Sequence, residues 1–188
     1  MLKKVDLKKF KEIYRKHIVK DFPRGERSSL NNFKKRIINK NEELYIFSEN
    51  REEKAYTVIA NLDNYIFISF LAVFKKYRGE GIGTKLLAEI KEKFKAKKGI
   101  ILEVESPKDA TSEKDKIIRE KRIKFYEKSN YQMLKNTKII LGNIFFNIML
   151  LNNKDNIDEK EIAKALNEFY VKTSKRYDKT LSFRVIEE

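Results

Sequence analysis

Arg78-Gly79-Glu80-Gly81-Ile82-Gly83-Thr84 gathers three of the six glycines of a 188-residue chain. Glycine lets a backbone turn tightly and come close to a ligand. Ile82, Leu86, Leu87, Ile90 and Phe94 follow at helical spacing on one face, so the turn opens a helix. The first amides of a helix have no intrahelical partner, and with the helix dipole they make an anion site. Lys75, Lys76, Arg78 and Lys85 add positive charge around it. A pyrophosphate is the natural guest; the plainer alternative is a tight strand-to-helix turn. The mononucleotide loop needs Gly, four residues, then Gly-Lys-Ser/Thr, and no such run exists. The dinucleotide fingerprint Gly-x-Gly-x-x-Gly also fails, because Gly79, Gly81 and Gly83 alternate and position 84 is Thr. The pattern that fits is Arg/Gln-x-x-Gly-x-Gly/Ala.

A second chemical candidate is the pair Glu103 and Glu105. They alternate with Leu102 and Val104, so both carboxylates stand on one face of a strand. Two acids on a buried strand face are costly without partners, and Arg78, Arg122 or nearby lysines are available to pair with them. The chain has no cysteine, which excludes disulfides, thiolate metal sites and a thiol nucleophile. Its one histidine, His17, lies on a helix and leaves neither a zinc cluster nor a Ser-His-Asp triad; a surface or packing role is expected. No metal is expected.

The elements that must carry these groups follow from pattern. Leu7, Phe10, Tyr14 and Ile18 predict a helix over about 6–21, broken by Pro23 and Gly25. Ser28 or Ser29 caps a second helix with Leu30, Phe33 and Ile37 on one face. Strands are predicted over 44–48, 56–60 and 65–74, the last nearly unbroken in apolar residues, as when both faces are covered. After the glycine turn, Gly99 is expected to end the helix. A strand over 100–105 is stopped by Pro107. Ser112 with Asp115 resembles a capping box for a helix to about 129. Segments 131–134, 138–141 and 144–151 read as the last strands, and a final helix covers about 158–173 with Ile162, Leu166, Phe169 and Tyr170 on one face. The order is α-α-β-β-β-α-β-α-β-β-α, an α/β layer structure.

The formal net charge is +15, from 43 Lys and Arg against 28 Asp and Glu. Residues 1–40 carry fourteen basic and four acidic side chains, and a second basic excess surrounds the glycine turn. Such a field attracts polyanions; the bland reading is a Lys-rich chain whose lysines are solvated surface. No basic run interleaved with aromatics reads as a nucleic-acid motif, so nucleic acid is not an expected partner. No apolar run reaches the roughly 18 residues that span a bilayer. The start lacks an apolar signal core, so a cytoplasmic protein without membrane association is expected.

At this point the sequence resembles the GNAT superfamily of N-acetyltransferases. Leu71-Ala72-Val73 and Tyr77-Arg78-Gly79-Glu80-Gly81-Ile82-Gly83-Thr84-Lys85-Leu86-Leu87 resemble that family's acetyl-CoA segment. Ile101–Glu105 and then Arg122-Ile123-Lys124-Phe125-Tyr126-Glu127-Lys128-Ser129-Asn130-Tyr131 resemble its Arg-x-x-Phe-Tyr-x-x-x-Gly-Phe region. Asn130 stands where Gly is usual; Asn also tolerates a left-handed conformation. Phe22–Arg27 resembles, more loosely, a branch of bacterial members. The resemblance covers about 44–151. It implies a mixed, mostly antiparallel central sheet with helices on both faces, and fourth and fifth strands (65–74 and 100–105) that splay around the pantetheine arm. It implies acetyl-CoA as co-substrate, held by the backbone of Leu71, Ala72 and Val73 and by Arg78, Gly79, Glu80, Gly81, Ile82, Gly83 and Thr84. Residues 1–152 form the acetyltransferase domain, with N-terminal helices over 1–40 and the core over 44–151, and residues 153–188 form a C-terminal helical extension.

The chemistry implied is transfer of an acetyl group to a primary amine by direct attack in a ternary complex. Tyr126 matches the family tyrosine that protonates the departing thiolate; its plain alternative is a core aromatic. Glu103 or Glu105 accepts the amine's proton, directly or through water, and Glu26 is a weaker candidate. The acceptor is an amine-bearing small molecule or peptide. A non-catalytic acyl-CoA-binding or regulatory module on the same fold is the alternative, and a nucleic-acid or ribosome-associated protein a third. The apolar stripe of the last helix can pack on the core or on a second subunit of a homodimer.

Overall fold

The computed structural model describes residues 1–142, 144–154, 157–175 and 183–187. They fall into two compact units, one of residues 1–61 and 67–95, the other of 62–66 and 96–188. Among the described residues no helix is long and apolar enough to cross a membrane.

In the first unit, β1 (Leu2–Lys4), β2 (Glu43–Glu49), β3 (Glu52–Leu62) and β4 (Tyr65–Val73) follow one another in the sheet. β2 pairs antiparallel with both β1 and β3, with Tyr45 opposite Thr57 and Ile46 opposite Tyr56. Neighbouring strand residues point to opposite faces, so Tyr45 and Tyr56 stand on different sides. Helices cover both. Phe94, capping the end of α4 (Ile82–Lys93), lies edge-on to Tyr45, while Tyr56 donates to Asp21 at the end of α2 (Val19–Asp21). That double cover explains the unbroken burial from Leu44 to Phe47 and from Ala55 to Ala60.

The helix expected over 6–21 begins as α1 (Leu7–Ile13), capped by Asp6, whose carboxylate accepts from the Lys9 amide at 2.8 Å. It then widens into a π turn over Tyr14–Ile18 before α2. Tyr14, inside the π turn, donates to the Ser28 carbonyl at 2.7 Å and accepts from Arg27. Ser29 caps α3 (Leu30–Ile38), and Phe33 packs against Phe10 and Phe70. α3 ends in a Schellman arrangement. Lys40 takes the left-handed position at φ +56, and the Asn41 amide bonds the Arg36 carbonyl.

In the second unit, β5 (Gly99–Glu105), β7 (Ile144–Asn152), β6 (Gln132–Leu141) and β8 (Phe183–Glu187) lie in that order, all antiparallel. α5 (Glu113–Glu127) and α6 (Glu159–Tyr170) accompany them. Gly99 opens β5 and does not end α4, contrary to expectation. A Cβ there would meet Leu150 Cδ1 at 2.7 Å and the Leu151 carbonyl at 2.9 Å, so glycine permits close strand approach. The segments expected as two strands, 131–134 and 138–141, are one strand whose register shifts between Met133 and Lys138. Glu159, in the first turn of α6, accepts the Lys135 and Asn136 amides at 3.2 and 2.9 Å, supplying partners for backbone inside that irregular stretch. The stripe of α6 (Ile162, Ala163, Leu166, Phe169, Tyr170) is buried within this chain. β1 and β8 were not expected from pattern. The remainder of the expected C-terminal extension, residues 155–156, 176–182 and 188, lies outside the described residues.

Candidate active site

The glycine turn lies in the first unit. β4 ends at Val73, a 3₁₀ turn runs over Lys75–Tyr77, and Arg78 is extended. Gly79 then takes φ +89 and Gly81 takes φ +74, ψ 5, so the chain reverses into α4. Among the described residues, a Cβ on either would meet no atom within 4 Å beyond the glycine's own chain neighbours. Glycine is therefore demanded by backbone conformation rather than by crowding. Gly81 occupies the N-cap of α4 and brings no side chain of its own to cap it. Its first amides thus face outward from a turn whose residues Gly79, Glu80 and Gly81 are exposed. A main-chain turn of this kind, opening a helix, can receive an anion.

Three of the four cations expected around it, Lys76, Arg78 and Lys85, have partners. The Arg78 guanidinium donates to Asp21 Oδ1 at 2.8 Å and to the Val73 carbonyl at 3.0 Å. Asp21 also accepts the buried Tyr56 hydroxyl at 3.0 Å; burial first, and Asp21 second, push that phenol far above its ordinary range. Lys85 sits 2.6 Å from Glu49, which Lys54 also reaches, and the two lysines hold the Glu49 carboxyl below the usual range. Lys76 lies over the Tyr77 ring. Leu71 and Val73 are half-buried and Ala72 is buried on β4. His17 stacks on Phe74 at 4.2 Å, and desolvation lowers its pKa, which fits the packing role expected.

The second unit holds the other three candidates. Tyr126 is on the last turn of α5, 8 % exposed, with its ring 5.0 Å from Phe125 and 5.7 Å from Tyr131. Burial pushes its phenol up to about 12, opposed by nearby Arg122. The helix closes by a Schellman motif in which Asn130 is left-handed at φ +66, as the residue substituted for Gly requires. The Tyr131 amide bonds the Tyr126 carbonyl and the Asn130 amide the Glu127 carbonyl. The cap at the other end is Ser112, which accepts the Asp115 amide at 3.2 Å; Asp115 reaches the Thr111 amide instead of closing a reciprocal box.

Glu103 and Glu105 share a face of β5 but have different partners. Glu105 is gripped by Arg122 and, at 3.1 Å, by Arg119. Arg119 also holds Asp115 at 2.9 Å and the Ser106 carbonyl at 2.8 Å, which ties α5 to the end of β5. Glu103 accepts the hydroxyl of Tyr170 from the end of α6. Arg122 was foreseen as a partner of the acids; Arg119, Tyr170 and Asp21 were not. The 115, 119, 122 spacing on one side of a helix was the available signal for Arg119.

These features meet an independent comparison. The profile described as "Acetyltransferase (GNAT) domain" matches residues 40–133, half of the chain, spanning the glycine turn, both acids and the Phe125-Tyr126 motif. The chain belongs to the GNAT family. YjbC of Bacillus subtilis (strain 168), named as a candidate acetyltransferase, is 36% identical to this GNAT protein over 87 residues. That match spans 46% of this chain and 41% of YjbC. A GNAT-family structure from Bacteroides thetaiotaomicron superposes with a TM-score of 0.73 at 17% identity, covering 94% of this chain and 98% of the other. An aminoglycoside 6'-N-acetyltransferase complexed with coenzyme A gives 0.56 at 14% identity, over 84% and 99%. These structural likenesses bear out the α/β class, with its mostly antiparallel strands and surrounding helices.

Proposed function

We propose that this GNAT protein transfers the acetyl group of acetyl-CoA to a primary amine by direct attack in a ternary complex. The observation that carries this reading is the positive-φ pair Gly79 and Gly81 feeding the N-terminus of α4, with glycine at its N-cap. The amides from Gly79 to Thr84 receive the CoA diphosphate, and the backbone of Leu71 to Val73 pairs with the pantetheine amides as an added strand would. Arg78 serves by fixing the turn to Asp21 and Val73. Residues 1–152 act as the transferase domain and 153–188 as an extension of it.

Attack needs an uncharged amine near the thioester carbonyl, a group that removes its proton, and a proton for the leaving thiolate. Tyr126 supplies that last proton. A phenol raised to about 12 stays protonated throughout the working range. Glu103 takes the amine's proton, directly or through water. Glu105, held by Arg119 and Arg122, braces α5. The acceptor is an amine-bearing small molecule or peptide.

The test is release of free CoA when the protein meets acetyl-CoA and a panel of amines, with calorimetry for CoA binding. Absence of CoA binding ends this reading. Binding without transfer to any amine favours a non-catalytic acyl-CoA-binding module.

A further inference from the structure

We infer that Tyr170 is a positioning residue that aims the Glu103 carboxylate, so that the C-terminal helix completes the acid–base apparatus. The inference rests on the reading of Glu103 as the proton acceptor. Tyr170 is the last residue of α6, 7% exposed, and its hydroxyl donates to Glu103 Oε1 across 67 residues of sequence. Its placement is built from both directions. Asp158 caps the start of α6, accepting the Lys160 and Glu161 amides. Glu161 then clasps Lys98 at 2.8 Å, Asn64 at 2.6 Å and Tyr65 at 3.0 Å, fixing the helix at the base of β5. Immediately after Tyr170 the helix widens into a π turn over Val171–Lys175, and buried Thr173 donates back to the Phe169 carbonyl at 2.8 Å. π turns change the angular placement of side chains at a helix end and recur at functional sites. Phe169, edge-on to the Tyr170 ring at 5.3 Å, closes the packing around it.

The partner chosen matters chemically. On the same strand face, Glu105 meets two guanidiniums, which add positive charge beside it. A phenol donates one directional hydrogen bond and adds no charge. It therefore fixes the direction of the carboxylate that it bonds.

Tyr170→Phe keeps the buried ring and removes only the hydroxyl. With an amine that the wild type acetylates, kcat falls about 10–100-fold, the scale of a misplaced catalytic group, while KM for acetyl-CoA stays the same. Glu103→Gln falls further, and adding Tyr170→Phe to it changes nothing more, because both act through one carboxylate. A slowly exchanging downfield hydroxyl proton, seen by NMR in the wild type and lost in both single variants, reports the pair without any turnover. An unchanged kcat in Tyr170→Phe of an active enzyme overturns the inference alone, as does an additive double variant or a wild type lacking that resonance. A wild type that turns over no amine overturns the functional reading and this inference with it.

Discussion

Replacing Gly81 by Ala separates the two jobs of the turn. At φ +74 and ψ 5 an alanine occupies the left-handed region, at a cost of about 1 kcal/mol relative to glycine. No steric penalty adds to it, because the new methyl meets no protein atom within 4 Å. For a chain of this size about 1 kcal/mol lowers Tm by roughly 2–4 °C. The methyl nevertheless stands beside the outward amides of α4, so the loss in CoA affinity is expected to exceed tenfold, or about 1.4 kcal/mol. Gly99→Ala is the control with the opposite signature. Its methyl would press on Leu150 Cδ1 at 2.7 Å and on the Leu151 carbonyl at 2.9 Å. Overpacking of that kind costs about 1–3 kcal/mol, and the CoA affinity of the folded fraction should be kept. Thermal unfolding and calorimetric titration with CoA, run on both variants, give the four numbers required. An unchanged CoA affinity in Gly81→Ala would refute the cradle as the diphosphate site, and a Tm fall well beyond 4 °C would refute the claim of open space around the glycine.

Tyr126→Phe should lower turnover about 100-fold with CoA affinity nearly intact. Because folding raises this phenol from 10.0 to about 12, the wild-type rate should show no fall from this group below about pH 11; a basic limb that starts near pH 9 and vanishes in Tyr126→Phe would contradict its placement. By the same sign, the stability it contributes is present below pH 10 and is lost as pH rises towards 12, which unfolding midpoints across that window would show. Asp21→Ala takes the carboxylate from Arg78, leaving it the Val73 carbonyl, and strands the buried Tyr56 hydroxyl, a penalty of about 1–3 kcal/mol in urea unfolding; weaker CoA binding should accompany it, and a midpoint unchanged from wild type would count against the link. Asn130→Gly should stabilise the protein by a few tenths to about 1 kcal/mol at φ +66, whereas Asn130→Val should destabilise it by at least that much, as thermal midpoints would register.

What was legible in the chain was what is local. The glycine turn, the helix after it and the cap at Ser112 depend on neighbours within a few residues, and each lies where pattern put it. Asn130 was foreseen to accept a left-handed backbone because that tolerance belongs to the residue itself. Gly99 was misjudged because its reason is tertiary: the pressure comes from Leu150 and Leu151, fifty residues away in sequence. β1 and β8 escaped notice because they are short, three and five residues, and each carries two charged residues, too little pattern to mark a strand. The partners of the candidate groups were hidden for the same reason. Asp21 meets Arg78 across 57 residues and Tyr170 meets Glu103 across 67, and neither pair leaves a periodic trace. The fate of Glu105 was half legible, since Arg122 was in view while Arg119 was not.

The grip of Glu159 on β6 has a consequence for the order of assembly. Two strand amides, those of Lys135 and Asn136, are closed by a carboxylate that arrives with the first turn of a helix more than twenty residues downstream. The ladder between β6 and β7 can zip on either side of that gap by itself, but these two protons gain their shield only when α6 docks. Their deuterium uptake should therefore keep time with the helix and not with the strand that contains them.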